Sequence, residues 1–235
     1  MNIDSWQNVL YYYGILDEKG IKMPSKAYTN FQKNIVQVNR LIETYDRELR
    51  GSGRGKKSLD HLTRAGLMFL CSSFEVYVES VVKESGNILI KHLKLPGELP
   101  ASTKQKVSES VKKAKHDLEP IIFYDDWKKY FTDMIYYDTK SLNTPKLDNI
   151  KDLLYNYFGI AKNDIDGSTF PFSGLNDIIS VRGEVAHNIY TVKYLTKTKL
   201  VEYNDTIKSC VLELDKLFYK RLPSVIKRKP WNDTY

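Results

Sequence analysis

The chain has 235 residues, 42% of them hydrophobic, with 36 Lys and Arg against 29 Asp and Glu, a formal net charge of +7 and a pI of about 9.1. That apolar content excludes global disorder, and 12 Gly with 8 Pro are few for the turns of an all-β chain of this length. The positive balance favours an anionic partner, nucleic acid ahead of a membrane surface.

Residues 5–16, SWQNVLYYYGIL, predict a short aromatic-rich helix. Ser25 is the predicted N-cap of a long helix reaching Arg50, in which Phe31, Ile35, Val38, Leu41, Ile42 and Tyr45 recur at helical spacing. RGSGRGKK at 50–57 has three glycines and four positive charges and reads as a flexible basic loop. Ser58 opens the strongest predicted helix, 59–95, where Leu67, Leu70, Cys71, Phe74, Val78, Val81 and Val82 build one stripe. Pro96-Gly-Glu-Leu-Pro100 ends it. Residues 101–118, ASTKQKVSESVKKAKHDL, carry five lysines and read as a solvated surface helix. Asp125 or Asp126 caps the next helix, which holds Trp127, Tyr130, Phe131, Met134 and Ile135. Pro145 falls in the first turn of a helix over 146–158, and GIAKNDIDGSTFP at 159–171 reads as a loop. Helices follow at about 173–188 and 199–222, the second carrying Val201, Ile207, Cys210, Val211, Leu214, Leu217 and Phe218. PSVIKRKPWNDTY reads as a loose basic tail.

No segment alternates with period two and no repeat is present, so the predicted fold is an all-α antiparallel bundle. Residues 1–57 form an N-terminal helical extension packing on it, 58–222 the bundle, and 223–235 the basic tail. Cys71 and Cys210 lie in apolar runs and predict buried thiols in a reducing compartment. His61, His92 and His116 lack ligand spacing, so neither a metal nor a cofactor is expected. The N-terminus lacks a basic region followed by an apolar run, and no apolar stretch reaches the roughly 18 residues of a bilayer span. The expectation is a cytoplasmic protein with no membrane partner.

The stretch SVRGEVAHN at 180–188 sets Arg182 and His187 after an apolar run. On a helical wheel Arg182 shares a stripe with Leu175, Ile178, Ile179, Ala186 and Ile189. A lone chain would bury that charge at a cost of several kcal/mol, and a groove receiving phosphate removes the conflict. His187 lies about 140° further round. Either Gly183 loosens the turn, or His187 stands at the helix end and swings toward the cleft. An imidazole titrates near neutral pH and can carry a proton either way; a guanidinium stays charged and matches two phosphate oxygens.

Arg182 and His187, with four residues between them and Asn188 following, resemble the signature of the HEPN superfamily of helical bundles, many of them metal-independent ribonucleases. HLTRAGLMFLCSSFEVYVESVV at 61–82, PKLDNIKDLLYNYFGI at 145–160 and LNDIISVRGEVAHN at 175–188 are similar in order and spacing to a ribonuclease-like HEPN subgroup associated with phage defence. The resemblance covers roughly 58–220; Gly183 stands where many members have Asn. It implies a HEPN-type bundle with additional N-terminal helices and a homodimer whose two-fold axis joins two motifs in one cleft. It also implies an RNA substrate cut by 2′-hydroxyl attack to leave 2′,3′-cyclic phosphate ends, in a toxin or defence setting with an antitoxin or defence partner protein. Arg182 and His187 are then the catalytic residues. Asn188 either caps the helix or orients the imidazole. Glu75 is either an ion-paired flank or a brace for Arg182. The alternative is a non-catalytic HEPN module that dimerises and binds RNA or a partner protein.

Overall fold

The computed structural model describes residues 25–51, 58–113, 127–142, 145–166, 172–187 and 195–231, and the regular structure among them is entirely helical. The helix predicted at 5–16 and the caps predicted at Asp125 or Asp126 lie outside these residues, as does most of the loop at 50–57.

Helix α1, Lys26–Gly51, starts at Ser25 because every early amide finds an acceptor. The Ser25 hydroxyl accepts from the Tyr28 amide at 2.9 Å. The Glu84 carboxylate, reaching over from the next helix, accepts from Lys26 and Ala27, both at 3.0 Å. Ala27, Tyr28, Phe31, Ile35 and Val38 form the buried face.

That face lies along α2, Asp60–His92, which is the axis of the bundle. Leu67, Leu70, Phe74, Tyr77, Val78, Val81, Val82 and Leu89 are each at most 1% exposed, so neighbours wrap most of its circumference. Two glycines let those neighbours close in. A methyl group at Gly66 would meet Leu200 Cδ2 at 2.5 Å, and one at Gly86 would overlap Ile135 Cδ1. Against the sequence expectation, α2 contains an 18-residue window of mean hydropathy 1.4, long and apolar enough by composition to cross a bilayer. Over half of that window is buried inside the protein, as a central core helix requires.

A 3-10 turn at Pro96–Glu98 redirects the chain into α3, Ala101–Lys113. Helix α4, Trp127–Lys140, buries Trp127, Phe131, Ile135 and Thr139 at a strict spacing of four and packs on α2. Helix α5, Leu147–Phe158, packs on α3, where Ser102 donates to the Tyr155 carbonyl at 2.6 Å. Lys146 is the N-cap of α5, so Pro145 precedes the helix instead of occupying its first turn. The predicted loop at 159–171 contains a short helix, α6, Asn163–Asp166.

After a 3-10 turn at Phe172–Gly174 come α7, Leu175–His187, and α8, Lys197–Arg221. Thr196 caps α8 by accepting from the Lys199 amide at 3.2 Å. The predicted loose tail is docked as far as Trp231. Helix α9, Pro223–Ile226, turns Leu222, Ile226 and Trp231 onto the core, each 8% exposed or less, because apolar residues punctuate the basic ones. One continuous core runs from Ala27 to Trp231 and includes residues on both sides of the 57/58 boundary. Both cysteines are free and buried.

Candidate active site on helix α7

Helix α7 turns Leu175, Ile178, Ile179, Val181 and Val185 into the core. The helix is regular through Gly183, so no loosened turn brings His187 round; His187 is instead its last helical residue and is exposed. Ala186, expected on the buried stripe, is exposed as well, because the core face ends at Val185. His187 lies five helical steps beyond Arg182, about 7.5 Å of rise and 140° of turn. The arginine therefore stands against the body and the imidazole at the rim.

Arg182 is half-buried and directed at α2. Its charge acts on two groups there. Burial pushes the Cys71 thiol up to about 12, and Arg182 pulls against that shift. This thiol is a packing group with no thiolate to offer. Burial also raises the Glu75 carboxyl; Arg182 lowers it and Glu79 raises it. Glu75 thus sits within the field of Arg182, as a brace would. Among the described residues Arg182 makes no ion pair within 4 Å, neither to Glu75 nor to Asp177 or Glu184 on its own helix. A half-buried guanidinium with an acidic neighbour but no clamped partner keeps donors available for an anion. Asn188 lies outside the described residues.

Two features escaped sequence reasoning. Phe69 and Val76 on α2 are 52% and 47% exposed, on the solvent side of the helix and about 100–120° round from Glu75. They fall at i and i+7, off the stripe led by Leu67 and Phe74, and that offset was the readable signal. Gly183 has no atom within 4 Å of where a Cβ would sit, so the outer side of α7 is open at that point. Open backbone at Gly183 therefore adjoins Arg182 on α7, and α2 offers exposed apolar side chains on its solvent side. The lysines of α3 sit on a helix that packs on α5, and one of them, Lys106, is neutralised by Asp138 at 2.9 Å.

A family model described as RiboL-PSP-HEPN matches residues 33–220. Neither a curated protein nor a solved structure matches the chain.

Proposed function

Since the chain belongs to the RiboL-PSP-HEPN family, we propose that it is a metal-independent endoribonuclease whose active site is completed by a second copy of itself. The observation that carries this reading is Arg182: half-buried, oriented by α2 beside Glu75, and free of any ion pair among the described residues. The exposed Phe69 and Val76 and the open Gly183 beside it suit the approach of a second copy.

In the proposed reaction Arg182 holds the non-bridging oxygens of the scissile phosphate and offsets the charge that builds up on them. One His187 removes the proton from the 2′-hydroxyl, whose oxygen attacks phosphorus. His187 of the partner subunit protonates the departing 5′-oxygen. The products are a 2′,3′-cyclic phosphate and a 5′-hydroxyl, with no net proton consumed. Two imidazoles at two rims supply the acid and the base that one motif lacks. The cytoplasm, where RNA is abundant and buried thiols stay reduced, is the compartment proposed, and the biological role is that of a toxin or phage-defence effector with a controlling partner protein.

Wild type, Arg182→Ala and His187→Ala are compared on total RNA in excess chelator, with end-group analysis of the fragments. Loss of about 10²–10⁴ in rate for either variant is expected. Equal rates from all three proteins would end the reading. Gly183, in place of the polar residue common in relatives, favours one alternative, a non-catalytic dimer that binds RNA or a protein. That alternative predicts RNA binding without cleavage on every substrate.

A further inference from the structure

Helix α4 carries two adjacent tyrosines on its outer side. Tyr137 is 69% exposed and Tyr136 45%, and their rings meet edge to face with centroids 5.6 Å apart. A helix that only packs has no use for this. Its buried stripe of Trp127, Phe131, Ile135 and Thr139 already satisfies the core. Two ammonium groups approach the Tyr136 ring, Lys83 from α2 at 4.7 Å and Lys140 at 5.7 Å from the centroid. On the other side, Tyr137 and Tyr130 line a groove of about 370 Å³ between α3 and α4. Asp138 in that groove is neutralised by Lys106 at 2.9 Å and accepts from the Tyr157 hydroxyl at 2.7 Å. Asp133, also in the groove, has no partner among the described residues.

We infer that this band across α4 is a stacking platform for single-stranded RNA, with one base on Tyr137 and the Asp133 carboxylate accepting from an exocyclic amine. Exposed aromatic rings with flanking cations suit a polyanion whose bases offer flat faces. A carboxylate beside the stack suits cytosine or adenine, whose amino groups donate, over uracil, which has none. Lys83 pairs with Glu79 and lies eight residues along α2 from Glu75, about 12 Å away. The inference deepens the RNA reading and rests on it for the class of ligand.

The test uses the full chain carrying His187→Ala, so that bound RNA is not consumed. Fluorescein-labelled oligocytidylate, oligoadenylate and oligouridylate of about 12 residues are titrated at about 50 mM salt and followed by anisotropy. Tyr137→Ala is expected to weaken binding about 5- to 100-fold, and Tyr137→Phe to leave it within about twofold. Asp133→Asn is expected to narrow the gap between oligocytidylate and oligouridylate. Tyr155→Ala, on α5, is the control. Independently, photocrosslinking of a 4-thiouridine oligonucleotide to the protein without the tyrosine substitutions should label the tryptic peptide 130–140. Tyr137→Ala binding that matches Tyr155→Ala on all three oligonucleotides overturns the inference, as does labelling confined to other peptides. So does the absence of any RNA binding, in which case the face serves a protein. Tyr137-dependent binding without cleavage would sink the nuclease reading alone. Cleavage that needs Arg182 and His187 but not Tyr137 would sink this inference alone.

Discussion

Ser25 and Asp215, 190 residues apart, are joined twice. The Ser25 amide donates to Asp215 Oδ2 at 3.0 Å, and its hydroxyl donates to Oδ1 at 2.5 Å. The Tyr77 hydroxyl adds a third donor at 3.3 Å, and Asp215 itself is only 3% exposed. One carboxylate therefore ties the start of α1 to the axial helix α2 and to α8.

This junction makes stability depend on pH in a defined direction. Burial pushes Asp215 up to about 7 from its ordinary 3.8, and the bonds from Ser25 offset only part of the shift. Between those limits the folded chain holds a proton that the unfolded chain releases, so this group's contribution is complete at low pH and is lost as pH rises toward 7. Relative to Asp215→Asn, the wild type should lose on the order of 2–3 kcal/mol between pH 5 and pH 8. Urea unfolding of both proteins at the two pH values measures it. Parallel pH profiles would show that Asp215 does not carry the dependence. Glu84, also raised by burial, is common to both proteins.

Arg182 and Glu75 should be coupled in stability as well as in the site. Arg182→Ala leaves a partly buried carboxyl without its nearby cation, which raises Glu75 further and costs stability as pH rises above the ordinary carboxylate range. In the Arg182→Ala, Glu75→Gln double-mutant cycle the coupling should be about 0.5–1 kcal/mol, kept small by solvent screening. Strict additivity in denaturant melts would contradict the brace.

Gly183 lies in mid-helix with open space where a side chain would project. Gly183→Ala should therefore stabilise the fold by about 0.5–1 kcal/mol through the lower backbone entropy of the unfolded chain. A loss of stability in the same urea assay would show that another surface approaches this backbone.

Gly159 presents the opposite case. It ends α5 at φ 66°, with its own amide donating to the Tyr155 carbonyl at 3.1 Å and that of Ile160 donating to Leu154 at 3.2 Å. A methyl group there would also stand 2.7 Å from Pro100 Cβ. Gly159→Ala should cost about 1–3 kcal/mol, read from the urea midpoint, and an unchanged midpoint would rule this cap out as a constraint.

The helices were legible in the sequence because helix formation is local. Ser25, the stripe from Phe31 to Val38, and the stripe from Leu67 to Val82 each lie within a few turns, and the structure places a helix over each. The break at Pro96 and the cluster of Arg182 and His187 near the end of a helix were equally readable. Helix ends were less so. Lys146 displaced Pro145, and α6 arose inside a predicted loop, because a cap depends on which neighbour meets the free amide or carbonyl.

The sequence by itself thus determined an all-α chain, its main helical segments and a motif of one cation and one imidazole, since periodicity and residue chemistry act over a few residues. Only the tertiary structure decided that Asp215 receives Ser25, that Glu75 rather than Glu184 faces Arg182, and that Tyr137 stays exposed where Tyr77 is enclosed. Each of these depends on which distant helix covers a given side. That is set by the packing of the whole bundle, where closing one core chooses among many locally equivalent faces.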